Sequence, residues 1–201
     1  MKKTAEIQAP MGETTVLLHT CCAPCSSAII EAMLHSGITP VIYYCNPNIY
    51  PQQEYEIRKN ECTRYAQSLG LEIVDADYDH DNWLEAVRGL ECEPERGGRC
   101  LACFKLRLLR TAGYAAQRGI KVITTTLASS RWKSLDQINE AGQWACNVVR
   151  QETAVPPGHE VIWWDRNWRK DGLQERRLQI IKDYQFYNQQ YCGCEFSMRN
   201  K

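Results

Sequence analysis

The chain predicts an α/β fold: a mostly parallel sheet flanked by helices, with a helical C-terminal part. Three observations carry that expectation. Short apolar runs alternate with longer segments of helical periodicity. Glycine or proline punctuates most changes of pattern. Thiols and polar residues gather just past the ends of apolar runs, where sheets of this kind build their sites.

Taken in order, "TTVLLHT" (14–20) reads as a short buried strand. "SSAIIEAMLHSG" (26–37) follows with Ile29, Ile30, Met33 and Leu34 at helical spacing and Gly37 where a C-terminal cap belongs. "TPVIYYCN" is a second strand, broken by "PNIYP". A helix over 52–69 ends at Gly70, "LEIVDAD" is a third strand, and "DNWLEAVRGL" is a short helix. "PERGGR" is a turn. From about 100 to 117 a helix places Leu101, Phe104, Leu108 and Ala115 on one stripe, and Gly119 closes it. "KVITTTL" is another strand, 134–149 another helix, and "EVIWWD" a fourth or fifth strand. A last helix over about 173–187 precedes "YCGC". "AVPPGHE" (154–160) is the best candidate for an insertion or a mobile loop.

The length of 201 residues and 44 % hydrophobic content suit a single α/β domain with a sizeable core, or one domain plus a small appendage. It divides into an N-terminal tail (1–12), an α/β core (13–150) and a C-terminal extension (151–201) that supplies YCGC. No secretory segment or bilayer-spanning apolar run is visible, so the expected location is the cytoplasm. Lys and Arg total 24 against 24 Asp and Glu, so nothing global announces a nucleic-acid binder.

The 11 cysteines are the strongest signal. In a reducing compartment they argue for metal or catalysis more than for a disulfide scaffold, and an odd number cannot pair fully within one chain. Cys21, Cys22 and Cys25 fall at the end of the first strand; two adjacent cysteines cannot readily form a strain-free bridge. Cys100 and Cys103 would share one helix face, with Arg107 a turn further on. Cys192 and Cys194 flank a glycine, which lets two thiolates turn towards one centre. The last two pairs supply four thiolates, the ligand set of a cubane iron–sulfur cluster or of a structural zinc. The first three are a separate group, a candidate for a second metal with an open coordination position. Cys45, Cys62, Cys92 and Cys146 have no partner nearby in sequence and read as ordinary packing or surface residues.

"LLHTCCAPCS", "CNPNIYPQQEYEIRKNE", "CEPERGGRCLACFKLRLLRTA", "TTTLASSRWK" and "YCGCEFS" occur in this order from about Val16 to Ser197. In these motifs the chain resembles the QueH family of epoxyqueuosine reductases. The resemblance implies a Rossmann-like sheet of the adenine-nucleotide α-hydrolase kind. It implies reductive, cobalamin-independent removal of the epoxide oxygen of epoxyqueuosine in tRNA, with a 4Fe-4S cluster beside a mononuclear iron. Carried over by position, Cys100, Cys103, Cys192 and Cys194 hold the cluster, and Cys21, Cys22 and Cys25 hold the second iron. The implied partners are tRNA carrying epoxyqueuosine and an electron donor of ferredoxin or flavodoxin type, with no membrane.

Around these thiols stand further candidates. Asn46, Asn48 and Tyr50 line the substrate pocket or simply shape a turn. Tyr50 and Glu54 are candidate proton donors. Glu54 and Arg58 are four apart on a helix, which also suits a surface ion pair. Arg99 and Arg107 flank the RCLAC thiols and can moderate cluster charge or hold a phosphate. Thr125, Thr126, Ser129 and Lys133 bind substrate or cap the next helix. "WWDRNWRKDGLQERR" mixes Trp163, Trp164 and Trp168 with Arg166, Arg169, Lys170, Arg176 and Arg177: an RNA-binding patch, or core tryptophans beside solvated arginines. Two readings from other classes compete. An ATP-dependent tRNA-thiolating enzyme would need a glycine- and serine-rich phosphate loop where this chain has CCAPCSS. A zinc-stabilised RNA-binding module would hold zinc alone.

Overall fold

The computed structural model describes residues 6–152 and 160–200. The segment read as a mobile loop therefore lies, except for Glu160, outside the described residues. The elements alternate as the periodicity predicts. Strand β1 is Thr15–Thr20, helix α1 Ala23–His35, β2 Thr39–Tyr44, α2 Gln52–Ser68 and β3 Ile73–Asp75. Then come α3 His80–Ala86, α4 Gly98–Arg118, β4 Val122–Thr125, α5 Leu135–Glu152, β5 Ile162–Trp163 and α6 Leu173–Tyr184.

Among the described residues all four strand pairings are parallel, in the order β3-β2-β1-β4-β5. Right-handed crossovers then place α1 and α2 on one face and α4 and α5 on the other. α6 packs against α1, and α4 against α5. Both faces being covered explains why β1 and β4 are apolar runs rather than alternating ones: Val16, Leu17, Leu18, Val122 and Ile123 are all fully buried. The chain winds outward from β1 through β2 to β3, then returns to β1's other side with β4. The strand order therefore reverses between β1 and β4, and the crevice at their carboxyl ends is where such sheets hold ligands.

Several boundaries differ from the sequence reading for local reasons. α1 starts three residues earlier than the periodicity suggested, because Pro24 is tolerated in a first helical turn and its fixed φ suits it. The residues after Thr125 leave the sheet as a 3-10 turn, Thr126–Ser129, capped by the Thr125 hydroxyl accepting from Leu127 N at 3.1 Å. α6 stops at Tyr184 because Gln185 turns left-handed (φ 51°), which lets Phe186 pack on the Tyr65 ring at 5.2 Å. Cys45, Cys62 and Cys146 are buried and Cys92 is exposed, as their isolation in sequence suggested.

Candidate metal centre

β1 delivers Cys21 and Cys22 to the reversal point, and the first turn of α1 brings Cys25 back beside them. The three Sγ atoms all lie within 4.8 Å of one another, with Cys21 and Cys22 at 3.9 Å. Thr126, one residue beyond β4, fixes Cys21 twice: its Oγ1 accepts from the Cys21 backbone N at 3.1 Å and its hydroxyl reaches Cys21 Sγ at 3.3 Å. Donation from Cys22 and Cys25 holds the Cys21 thiol well below its ordinary range, with the Lys133 charge assisting. The same contacts and burial hold Cys22 well up and push Cys25 up to about 12. A converging thiol set of this kind suits thiophilic metals such as iron or zinc.

The other four thiols line a cavity of about 550 Å³, which Cys25 also borders. Cys100 and Cys103 enter from one face of α4, as their spacing predicts. Cys192 and Cys194 enter from the loop after α6. Among the described residues, no three of these four meet within the distance that joins the first triad. Two cations attend them, the partly buried Lys133 and the buried Arg107. Lys133 Nζ donates to Cys192 Sγ at 3.4 Å. Burial pushes the Cys192 thiol up, and Lys133 and Arg107 more than offset that, leaving it below its usual value. Arg107 is anchored through Nε to Cys45 O at 3.1 Å and through Nη2 to Asn46 Oδ1, and its Nη1 lies 3.9 Å from Cys103 Sγ. Burial and the nearby Cys103 push the Cys194 thiol up to about 12, against the lowering effect of a donation from the Phe196 backbone.

The CGC loop is held by a buried ion pair. Arg58 Nε donates to Glu54 Oε1 at 2.7 Å, while its Nη2 and Nη1 donate to Tyr191 O at 3.2 Å and Cys192 O at 3.3 Å. Tyr187 donates its hydroxyl to Glu54 Oε2 at 2.8 Å. Tyr50 N donates to Gly193 O at 2.8 Å, and Tyr191 OH donates to Tyr50 O. Gly193 has φ 108°, and a Cβ there would lie 2.8 Å from Ile49 Cγ1, so this site requires glycine. Glu54 and Arg58 are therefore not the surface pair that their spacing also allowed: both are buried.

The remaining candidates divide by position. Asn48 and Arg99 line the cavity, and Asn48 Oδ1 and Arg99 Nε are buried without a hydrogen-bond partner. Asn46 is buried behind Arg107, its Nδ2 donating to Thr20 O at 2.9 Å. Thr125 caps the 3-10 turn and meets His19 Nδ1 at 2.6 Å. Ser129 donates to Thr126 O at 2.8 Å. Tyr50 is half exposed and stacks on His80.

Trp163, Trp164 and Trp168 are all buried, with Trp168 Nε1 donating to Thr124 Oγ1 at 3.2 Å. The RNA-stacking reading of that patch is thereby corrected: its rings belong to the core. Sequence reasoning missed Arg96, Gln174 and Tyr191 as cavity residues; Arg96, whose backbone N lies 3.3 Å from Cys100 Sγ, and Tyr191, which precedes Cys192, were within reach of the thiol motifs, whereas Gln174 comes from α6, which carries no thiol.

The model of the family described as "Epoxyqueuosine reductase QueH" matches residues 16–200. Proteins of the same name are similar throughout. The one from Haemophilus influenzae is 46 % identical over 195 residues, covering 97 % of this chain and 76 % of its own. That from Histophilus somni is 45 % identical with the same coverage. That from Acinetobacter baylyi is 44 % identical over 199 residues, covering 99 % of this chain and 87 % of its own.

Proposed function

The chain belongs to the epoxyqueuosine reductase QueH family, and from that premise we propose that it reductively removes the epoxide oxygen of epoxyqueuosine in tRNA, giving queuosine. The reaction takes up two electrons and two protons, opens both epoxide C–O bonds to leave an alkene, and releases the oxygen as water. The observation that carries the reading is the meeting of Cys21, Cys22 and Cys25 within 4.8 Å at the sheet's reversal point, beside a cavity the other four thiols line.

In this reading Cys21, Cys22 and Cys25 hold a mononuclear iron, and Cys100, Cys103, Cys192 and Cys194 hold a 4Fe-4S cluster. The wider spacing of the second set suits a cluster, which is larger than a single ion. When bound, the two groups supply electrons and Lewis acidity. The chain's own residues do the rest. The C-terminal extension, 151–201, serves the α/β core by bringing Cys192 and Cys194 to it. Lys133 and Arg107 offset the charge of the buried thiolates, and Lys133 keeps its proton at Nζ, since the surrounding thiolates outweigh the opposing effect of burial. Asn48 and Arg99 offer the substrate polar atoms that the protein leaves unpaired. Glu54, Arg58 and Tyr50 position the CGC loop. An acidic one-electron carrier of ferredoxin or flavodoxin type is the donor.

The test is conversion by anaerobically purified protein. With a chemical reductant and tRNA carrying epoxyqueuosine, digestion to nucleosides should show queuosine, and Cys22→Ala should abolish it. Iron-loaded protein that binds the tRNA and leaves the epoxide intact would overturn the reading in favour of an RNA-binding module.

A further inference from the structure

The chain is neutral overall, with 24 basic and 24 acidic residues, yet its cavity is not. Among the described lining residues, Arg96, Arg99, Arg107, Arg131, Lys133 and Arg177 stand against one acid, Glu95. At the mouth sits Trp132, the most exposed of the described large hydrophobic side chains, at 76 %. An indole so exposed contributes little to folding.

Its backbone is nevertheless clamped. Arg96 Nε donates to Trp132 O at 3.1 Å and its Nη2 to Arg131 O at 2.9 Å. Arg169 Nη2 donates to Lys133 O at 2.7 Å, and Ser130 Oγ accepts from Trp132 N at 3.3 Å. Gln137 Nε2 in turn holds Arg96 O at 2.9 Å. Three successive carbonyls are thus occupied by arginines that do nothing for the ring itself. The result is a backbone held in place beneath the ring, which spares a ligand the cost of ordering that segment. Beside it the Arg131 guanidinium is exposed, and Arg177 Nε is buried without a partner.

We propose that Trp132 is a base-stacking platform at the cavity mouth. It would stack a nucleobase of the single-stranded loop next to the one that enters, while Arg131 and Arg177 take the adjoining phosphates. This rests on the tRNA reading above and names the surface that reading lacks, now that the tryptophans of 163–168 are buried. An aromatic ring flanked by cations is the pairing that single strands require, because every base offers a π-face and every linkage a charge. A rigid duplex offers the charges without a free face.

The test is the affinity of anaerobically prepared protein for an RNA hairpin with an anticodon-type loop, against a blunt duplex of the same composition. Trp132→Ala should weaken hairpin binding by about ten- to a hundredfold and leave duplex binding within twofold. Trp132→Phe should retain hairpin affinity within a few-fold and lose the fluorescence quenching that the hairpin produces in the wild type. Arg131→Ala should weaken both RNAs and reduce the salt slope by about one charge. Hairpin affinity unchanged in Trp132→Ala, with wild type active on its substrate, overturns the platform and leaves the reductase reading standing. Unchanged RNA affinity together with slower turnover from an acidic protein reductant would assign the surface to the electron donor, and would equally overturn it. Wild type that binds no hairpin overturns both.

Discussion

Cys21, Cys22 and Cys25 come from five consecutive residues at the end of a central strand, whereas Cys100, Cys103, Cys192 and Cys194 come from a helix and a distant loop. The first group is set by local geometry. A parallel strand flanked on both sides must end at the crevice, and one turn of helix returns the third thiol. The second group depends on a clamp: a buried Arg58–Glu54 pair, two backbone bonds to the CGC loop, and Lys133 on Cys192. One thiol set is therefore preformed by the sheet, and the other is assembled by tertiary contacts. The two should fail separately.

The largest expected effect is at the clamp. Arg58→Met leaves Glu54 buried without its partner and releases the 191–193 backbone, so unfolding by denaturant should show a loss of about 3–5 kcal/mol. Sulfide content should fall more than the metal held by the triad. The double variant Glu54→Gln/Arg58→Met should recover part of the stability but not the sulfide. If both centres vanish together in the double variant, the separation is wrong.

Gly193→Ala adresses the same loop with less damage to the core. Its φ of 108° and the contact with Ile49 predict a loss of about 1–3 kcal/mol and of sulfide.

On the preformed side, His19 provides a pH signature in the metal-free protein. Burial, with the Arg107 charge, holds its ring down to about 3, against an ordinary value of 6.5. The ring is neutral, so Nε2 donates to Cys45 O at 3.0 Å and Nδ1 accepts from Thr125. The unfolded chain takes up the proton first as pH falls. Stability from this group is therefore complete above 6.5 and is lost as pH drops towards 3, at up to about 1.4 kcal/mol per unit. Denaturant titrations of wild type and His19→Asn should differ in slope across that window and nowhere else.

The smallest effect sharpens the comparison. Thr126→Val removes one hydroxyl from Cys21 and should cost about 0.5–1.5 kcal/mol. It should also raise the Cys21 thiol, seen as slower alkylation of metal-free protein at neutral pH, with no change at Cys192.

What could be read from the sequence follows the same division. The strand ends, the thiol triad and the shared face of Cys100 and Cys103 are products of local periodicity, and the structure shows each of them. The clamp was not legible, because Arg58 meets Tyr191 and Cys192 only through the packing of the C-terminal loop on α2. Trp163 misled for a similar reason. Its seat is created by Gly142 on α5, where a Cβ would lie 2.2 Å from the indole, and nothing in "WWDRNW" announces that glycine. Trp132 carries the reverse lesson: a single tryptophan between Arg131 and Lys133 looks unremarkable until Arg96 is seen holding its backbone.

The proposed function requires two unlike metal groups in two separately built thiol sets. Iron, zinc and acid-labile sulfide per chain, measured without oxygen in wild type and in Cys22→Ala, test it most directly. The wild type should hold about five irons and four sulfides, and the variant about four of each. Zinc without sulfide, or a variant that loses its sulfide along with the iron, would contradict it.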